Sequence, residues 1–226
     1  MEYIIQSRPS YSLLEATLRN GETIVAESGA MTWMGGDIRM TTSTRDGVMS
    51  GLGRSVLGGE SFFQNTFRAE GAGGMVGLAP GQPGDIVAHE MTVGTELFLE
   101  KSAYLASEES IKINTDFQGL SGLFNEGLFI LRASGSGMLF FNAYGDVEEV
   151  EVDGAYRVDN GHAVAWEPSL EYQIIRGGRS IRSFLFSDQL ILRFTGHGRL
   201  WVQSRNPRSL ASWVFPFRPQ ASSNGN

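Results

Sequence analysis

The chain has 226 residues, of which 29 are glycine and none is cysteine. Hydrophobic residues at 41% and aromatics at 11% exclude a disordered chain, and the missing cysteine excludes a disulfide framework, thiol chemistry and a cysteine-based zinc site. The formal net charge of -7 disfavours non-specific contact with nucleic acid or anionic lipid.

The chain opens MEYIIQSRPS, with no basic region before an apolar run, so no secretory signal is expected. No apolar run reaches the length of a membrane-spanning helix. The expected location is the cytoplasm. From there short alternating segments follow one another and end at Gly, Asn or Asp. The first is Glu22 to Ala26. Next comes Gly35 to Gly59, glycine-rich and without a core pattern, which reads as a long flexible loop carrying Gly51, Gly53, Arg54, Gly58 and Gly59. Alternation resumes at Glu96 to Glu100, Leu128 to Arg132, Gly137 to Phe141 and Val147 to Val152. It continues at Ala155 to Val158, Leu190 to Phe194 and Leu200 to Gln203. This pattern predicts an all-β chain with at most short helices. A turn of helix fits Gly119 to Phe124. The best helix is Pro207 to Phe215, where Asn206 can cap and Pro207 can hold the first position. The polar tail, 218–226, is expected to be disordered.

Self-comparison adds a repeat. Arg68-Ala-Glu-Gly-Ala-Gly73, Arg132-Ala-Ser-Gly-Ser-Gly137 and Arg193-Phe-Thr-Gly-His-Gly198 each read Arg-x-x-Gly-x-Gly. A second trio begins at Gly29, Ser102 and Gly161, and a pair joins Gly84-Asp85-Ile86 to Gly145-Asp146-Val147. We therefore expect one domain, 1–217, built of three β-sandwich or short double-stranded β-helix units at about 20–92, 93–152 and 153–215, in a pseudo-threefold arrangement. The Gly-x-Gly segments read as tight turns between strands.

Arg68, Arg132 and Arg193 then occupy equivalent positions. They can pair with Glu60, Glu126 and Asp188 at the start of the preceding strands, or together bind an anion; structural pairing is the preferred reading. The Gly51 to Gly59 glycines lack the Gly-Lys-Ser/Thr of a phosphate loop. His89, His162 and His197 lie far apart, with no His-x-His pair, so no metal is expected. Trp33, Trp166, Trp201 and Trp213 read as core or interface anchors. Arg199 to Arg208 interleaves arginine with tryptophan, but the acidic balance of the chain argues against nucleic acid.

Taken together, Ala26-Glu-Ser-Gly-Ala-Met31, Gly59-Glu-Ser-Phe-Phe63, Pro83-Gly-Asp-Ile86, Tyr104-Leu-Ala-Ser107, Val158-Asp-Asn-Gly-His-Ala-Val-Ala165 and Gly198-Arg-Leu-Trp-Val-Gln-Ser-Arg205 give the chain a family likeness. It resembles the "altered inheritance of mitochondria" mitochondrial-biogenesis proteins and their prokaryotic relatives, whose function is unknown. The resemblance implies a fold like that of the tryptophan RNA-binding attenuation protein and no catalytic residues; no cofactor is expected. It also links eukaryotic relatives to the mitochondrial inner membrane. Ser187-Asp188-Gln189 and His197 depart from the Gly-Glu-Gly and proline expected there.

The function expected is that of a non-enzymatic structural or protein-interaction protein, a homo-oligomer with protein partners. The alternative is a small-ligand module with its site between repeats or beneath the 35–59 loop. A metal-dependent β-barrel enzyme comes third.

Overall fold

A computed structural model describes residues 1–44, 63–115, 130–176 and 190–218. Its first half holds strands β1 (Glu2–Gln6), β2 (Leu13–Leu18), β3 (Thr23–Glu27), β4 (Met31–Thr44), β5 (Phe63–Leu78), β6 (Ile86–Met91), β7 (Glu96–Glu100) and β8 (Tyr104–Glu108). Then come β9 (Lys112–Thr115), β10 (Ile130–Ser134), β11 (Gly137–Asn142), β12 (Val147–Asp159), β13 (Ala163–Trp166), β14 (Leu170–Arg176) and β15 (Leu190–Gln203). The chain closes with helix α1 (Pro207–Val214) and a 3-10 turn, Phe215–Phe217. The fold is all-β, as the alternation predicts.

Alternation sets the inward faces. In β2, Leu14, Ala16 and Leu18 are buried; in β3, Ile24 and Ala26; in β7, Leu97 and Leu99. Each fully buried Leu or Ile stabilises by roughly 1.5–3 kcal/mol. The strands form two sheets. One runs β1-β2-β5-β3-β8-β11-β6, with β4 on β5; the other runs β12-β15-β13-β7-β10-β9, with β14 on β15. Three apolar cores result. Leu14, Ile24, Phe67, Leu78 and Phe140 fill the first sheet. Leu99, Tyr104, Phe141, Val164 and Trp201 fill the space between the sheets. Trp166, Leu192, Phe194 and Leu200 fill the second.

The first sheet curls until its ends nearly meet. Tyr3 on β1 packs edge-on against Phe140 with ring centroids 5.0 Å apart. Ser12 N–H donates to Gly84 C=O at 3.0 Å. Asp85, ahead of β6, accepts from Arg8 Nε (2.8 Å), Arg8 Nη2 (2.7 Å), Ser12 Oγ (2.8 Å) and Ile86 N–H (2.8 Å). The carboxylate is 3% exposed and the guanidinium side chain 52%.

Four expectations change. Gly35 to Thr44 is not loop but the body of β4, paired along β5. Its Thr-rich residues hide a strand because most of that stretch is exposed, so no apolar alternation marks it. Val147 to Val152 and Ala155 to Val158 form one strand, as do Leu190 to Phe194 and Leu200 to Gln203. The glycine segments are turns only at Gly135; Gly71 and Gly73 lie inside β5, and Gly196 and Gly198 inside β15. Gly71, Gly73 and Gly196 adopt a positive φ there, and pairing continues on both sides. Finally, the sheet order gives an eight- and a seven-stranded sheet and does not by itself display a pseudo-threefold arrangement. Helix α1 forms as expected, with Asn206 Oδ1 accepting from Arg208 N–H at 2.9 Å.

Candidate functional site

A polar cleft of about 200 Å³ opens where four parts of the chain meet. Gln82 follows the long β5 ribbon. Glu100, Ser102 and Ala103 come from the end of β7 and the 3-10 turn after it. Asn160, Gly161, Ala163 and Val164 lead into β13, and Gln203, Asn206, Pro207 and Arg208 close the far side.

Local chemistry fixes each wall. β7 ends because Glu100 turns back on the chain: its Oε2 accepts from Ser102 N–H at 2.8 Å and from Ser102 Oγ. Gln203 spends its whole amide on structure, accepting from Tyr144 N–H and donating to Gly161 C=O, both at 2.8 Å. His162 Nδ1 lies 2.8 Å from Gln203 C=O. A Cβ on Gly161 would run into the Asn206 amide, so a larger residue there requires that side chain to move.

Burial pushes the Glu100 carboxyl up, and the Ser102 hydrogen bonds, Lys101 and Arg208 only partly offset it. Glu27, at the end of β3, is pushed up to about 7 by burial; Lys101 opposes the shift and Glu100 adds to it. A second polar cluster lies around Trp201. Arg199 pairs with Glu167 at 2.7 Å and stacks its guanidinium 5.2 Å from the Trp201 ring centroid. His89 meets the same tryptophan edge-on at 5.3 Å, and burial together with Arg199 lowers its pKa.

The sequence-derived positions fall elsewhere. Arg68, Arg132 and Arg193 lie on β5, β10 and β15, which do not pair with one another. Arg132 forms an ion pair with Glu96. Arg68 is exposed between Thr23 and Arg39, and Arg193 lies between Arg157 and Gln173. Glu60, Glu126, Asp188, Gly51, Gly53, Arg54, Gly58, Gly59 and the Gly119 to Phe124 turn are outside the described residues, as is the tail past Arg218. The histidines stay apart: His197 faces solvent, 2.9 Å from Asp153. Among the described residues no three His, Asp or Glu side chains group to hold a metal. Trp166 and Trp201 are core residues, whereas Trp213 is exposed. No helix among the described residues is long and apolar enough to cross a membrane. Nothing in the chain's periodicity or motifs points to the cleft. Its walls lie more than a hundred residues apart, and no local pattern links Gln82, Glu100, Asn160 and Arg208.

Fold and cleft define an all-β protein of two sheets and three cores, with a polar cleft where β7, β13 and α1 meet. The chain belongs to the Mitochondrial biogenesis AIM24 family, whose model matches residues 3–205. It is 30% identical over 234 residues to the Uncharacterized protein M6_Spy0233 of Streptococcus pyogenes serotype M6, covering 98% of this chain and 93% of that one. The crystal structure of protein SPYM3_0169 from Streptococcus pyogenes is also similar, with a TM-score of 0.79 at 27% identity. That match covers 96% of this chain and 99% of the other.

Proposed function

We propose that the protein is a non-enzymatic interaction protein that assembles with copies of itself through its C-terminal segment. The observation that supports this is the exposure of that segment. Helix α1 and the following turn bury no residue, yet they carry Leu210, Trp213, Val214, Phe215 and Phe217. Trp213 is 67% exposed and Phe217 73%. Aromatic side chains grouped in this way mark interaction surfaces.

Charge supports a second copy of the chain as the partner. Residues 205–218 hold Arg205, Arg208 and Arg218 and no acid, so the remainder of the chain stands at -10 against -7 for the whole. Strand β12 sits at the edge of the second sheet, with Glu148 and Glu151 exposed. A basic aromatic segment and an acidic sheet edge on the same molecule suit a head-to-tail contact between copies.

Light scattering at micromolar concentration tests this. The wild type is expected to run as a multimer. The double variant Trp213→Ser, Phe217→Ser is expected to run as a folded monomer with unchanged circular dichroism and a melting temperature that no longer depends on protein concentration, since neither side chain enters a core. A wild-type monomer sinks the reading. A monomer that floats with anionic vesicles replaces it with a lipid surface as the partner.

A further inference from the structure

We propose that the cleft at the junction of β7, β13 and α1 binds a small zwitterion, with its ammonium on Glu100 and its carboxylate on Arg208. The argument starts from which polar groups are already used. Gln203 has both ends of its amide engaged, Ser102 Oγ is given to Glu100, and Asn206 Oδ1 caps α1. Five groups on the wall are left over among the described residues: Glu100 Oε1, the Arg208 guanidinium, Asn206 Nδ2, and the side-chain amides of Gln82 and Asn160. Two of these carry opposite charge. They sense one another across the cleft, since Arg208 helps hold down the Glu100 pKa, but they form no ion pair. An acid and a base held apart by a cavity match a molecule with a cation at one end and an anion at the other.

Geometry narrows the class. Glu100 is held in place by its two bonds from Ser102, so its free oxygen needs no reorganisation to receive an ammonium. An ammonium also returns to the carboxylate part of the solvation lost on burial. Guanidinium groups hold carboxylates through paired parallel hydrogen bonds. Ordinary ligand pockets span roughly 300–1,000 Å³. At about 200 Å³, with Ala103, Ala163 and Val164 as the apolar floor, this one takes an amino acid with a small side chain and excludes an aromatic one.

The test is thermal melting of the full chain with glycine, alanine, β-alanine and γ-aminobutyrate. Controls are methylamine, acetate and tryptophan. Light scattering on the same samples separates binding from a change of assembly. At ten times its dissociation constant, one of the small zwitterions is expected to raise the melting temperature by about 3–6 °C. The single-charge controls and tryptophan are expected to do nothing. Glu100→Gln and Arg208→Gln are each expected to abolish the shift, and Arg208 is an exposed side chain whose loss leaves the cores intact. Titration calorimetry on Arg208→Gln keeps the test valid if Glu100→Gln fails to fold. Absence of a shift with every zwitterion overturns the proposal, as does a shift that survives Arg208→Gln.

Discussion

Two carboxylates carry opposite pH signatures, and the sign of each follows from its surroundings. Burial alone would raise the Asp85 pKa, but hydrogen bonds from Arg8, Ser12 and the Ile86 N–H outweigh it, and the group ends below the usual carboxylate range. Its stabilising effect is therefore complete above the unfolded-state pKa and fades as pH falls toward the lowered folded value. Glu27 is the reverse. Its folded pKa of about 7 lies above the unfolded value, so the folded state holds an extra proton between roughly pH 4.5 and 7. Stability falls as pH rises through that window and then levels off. Urea melts are expected to separate the two. Asp85→Asn should cost about 2–3 kcal/mol at pH 7, because it strands the half-exposed Arg8 beside a buried carbonyl, and should cost progressively less as pH falls toward the lowered folded value. Glu27→Gln should change nothing near pH 4 and stabilise by about 1–2 kcal/mol at pH 8, allowing for the partial exposure of the group. A Glu27→Gln variant that loses stability at pH 8 would show that this carboxylate is bonded rather than merely buried.

At the scale of elements, the question is why some strands were readable and others were not. β7 announces itself through a strict period of two with one buried face, whereas β11 reads as a strand from its unbroken apolar run, buried on both faces. Helix α1 is readable from its cap, since Asn206 and Pro207 supply an acceptor and a preset φ where a helix needs them. β12 and β15 hide their continuity because glycine in a sequence looks like a stop. Here Gly154 and Gly196 are register partners within one long ribbon, and both adopt positive φ. Their surroundings differ. A Cβ on Gly196 would stand 2.6 Å from the Ser169 carbonyl oxygen, whereas a Cβ on Gly154 meets nothing within 4 Å. Gly154→Ala is therefore expected to cost about 1–2 kcal/mol, from backbone strain alone. Gly196→Ala adds a collision and is expected to cost about 3–4 kcal/mol. Equal losses in chemical denaturation would mean that the kink, and not the contact with the Ser169 loop, requires glycine. The cleft was illegible for another reason. Gln82, Glu100, Asn160 and Arg208 are gathered by sheet order and closure, and no local pattern in the sequence records that.

At the scale of the whole molecule, charge is distributed unevenly along the chain, and this makes the self-association reading quantitative. The contact proposed above has an apolar part, carried by Trp213 and Phe217, and an ionic part, carried by the arginines of 205–218 and the acids of β12. The two parts respond differently to salt. The Debye length falls from about 10 Å at 0.1 M to about 3 Å at 1 M ionic strength, which screens exposed charges but leaves apolar burial intact. Sodium chloride is therefore expected to weaken assembly without abolishing it, and sodium sulfate, which strengthens apolar burial, to weaken it less. Glu148→Lys with Glu151→Lys should raise the dissociation constant about tenfold at low salt and hardly at all at 1 M. Both side chains are exposed and make no ion pair among the described residues, so folding should be unaffected. Adding Arg218→Glu to that pair should recover part of the loss, since it restores opposite signs across the contact. Sedimentation velocity across a salt series reads all of these outcomes. If the double charge reversal leaves assembly untouched at low salt, β12 is not the receiving edge, and the C-terminal segment meets a different surface of its neighbour.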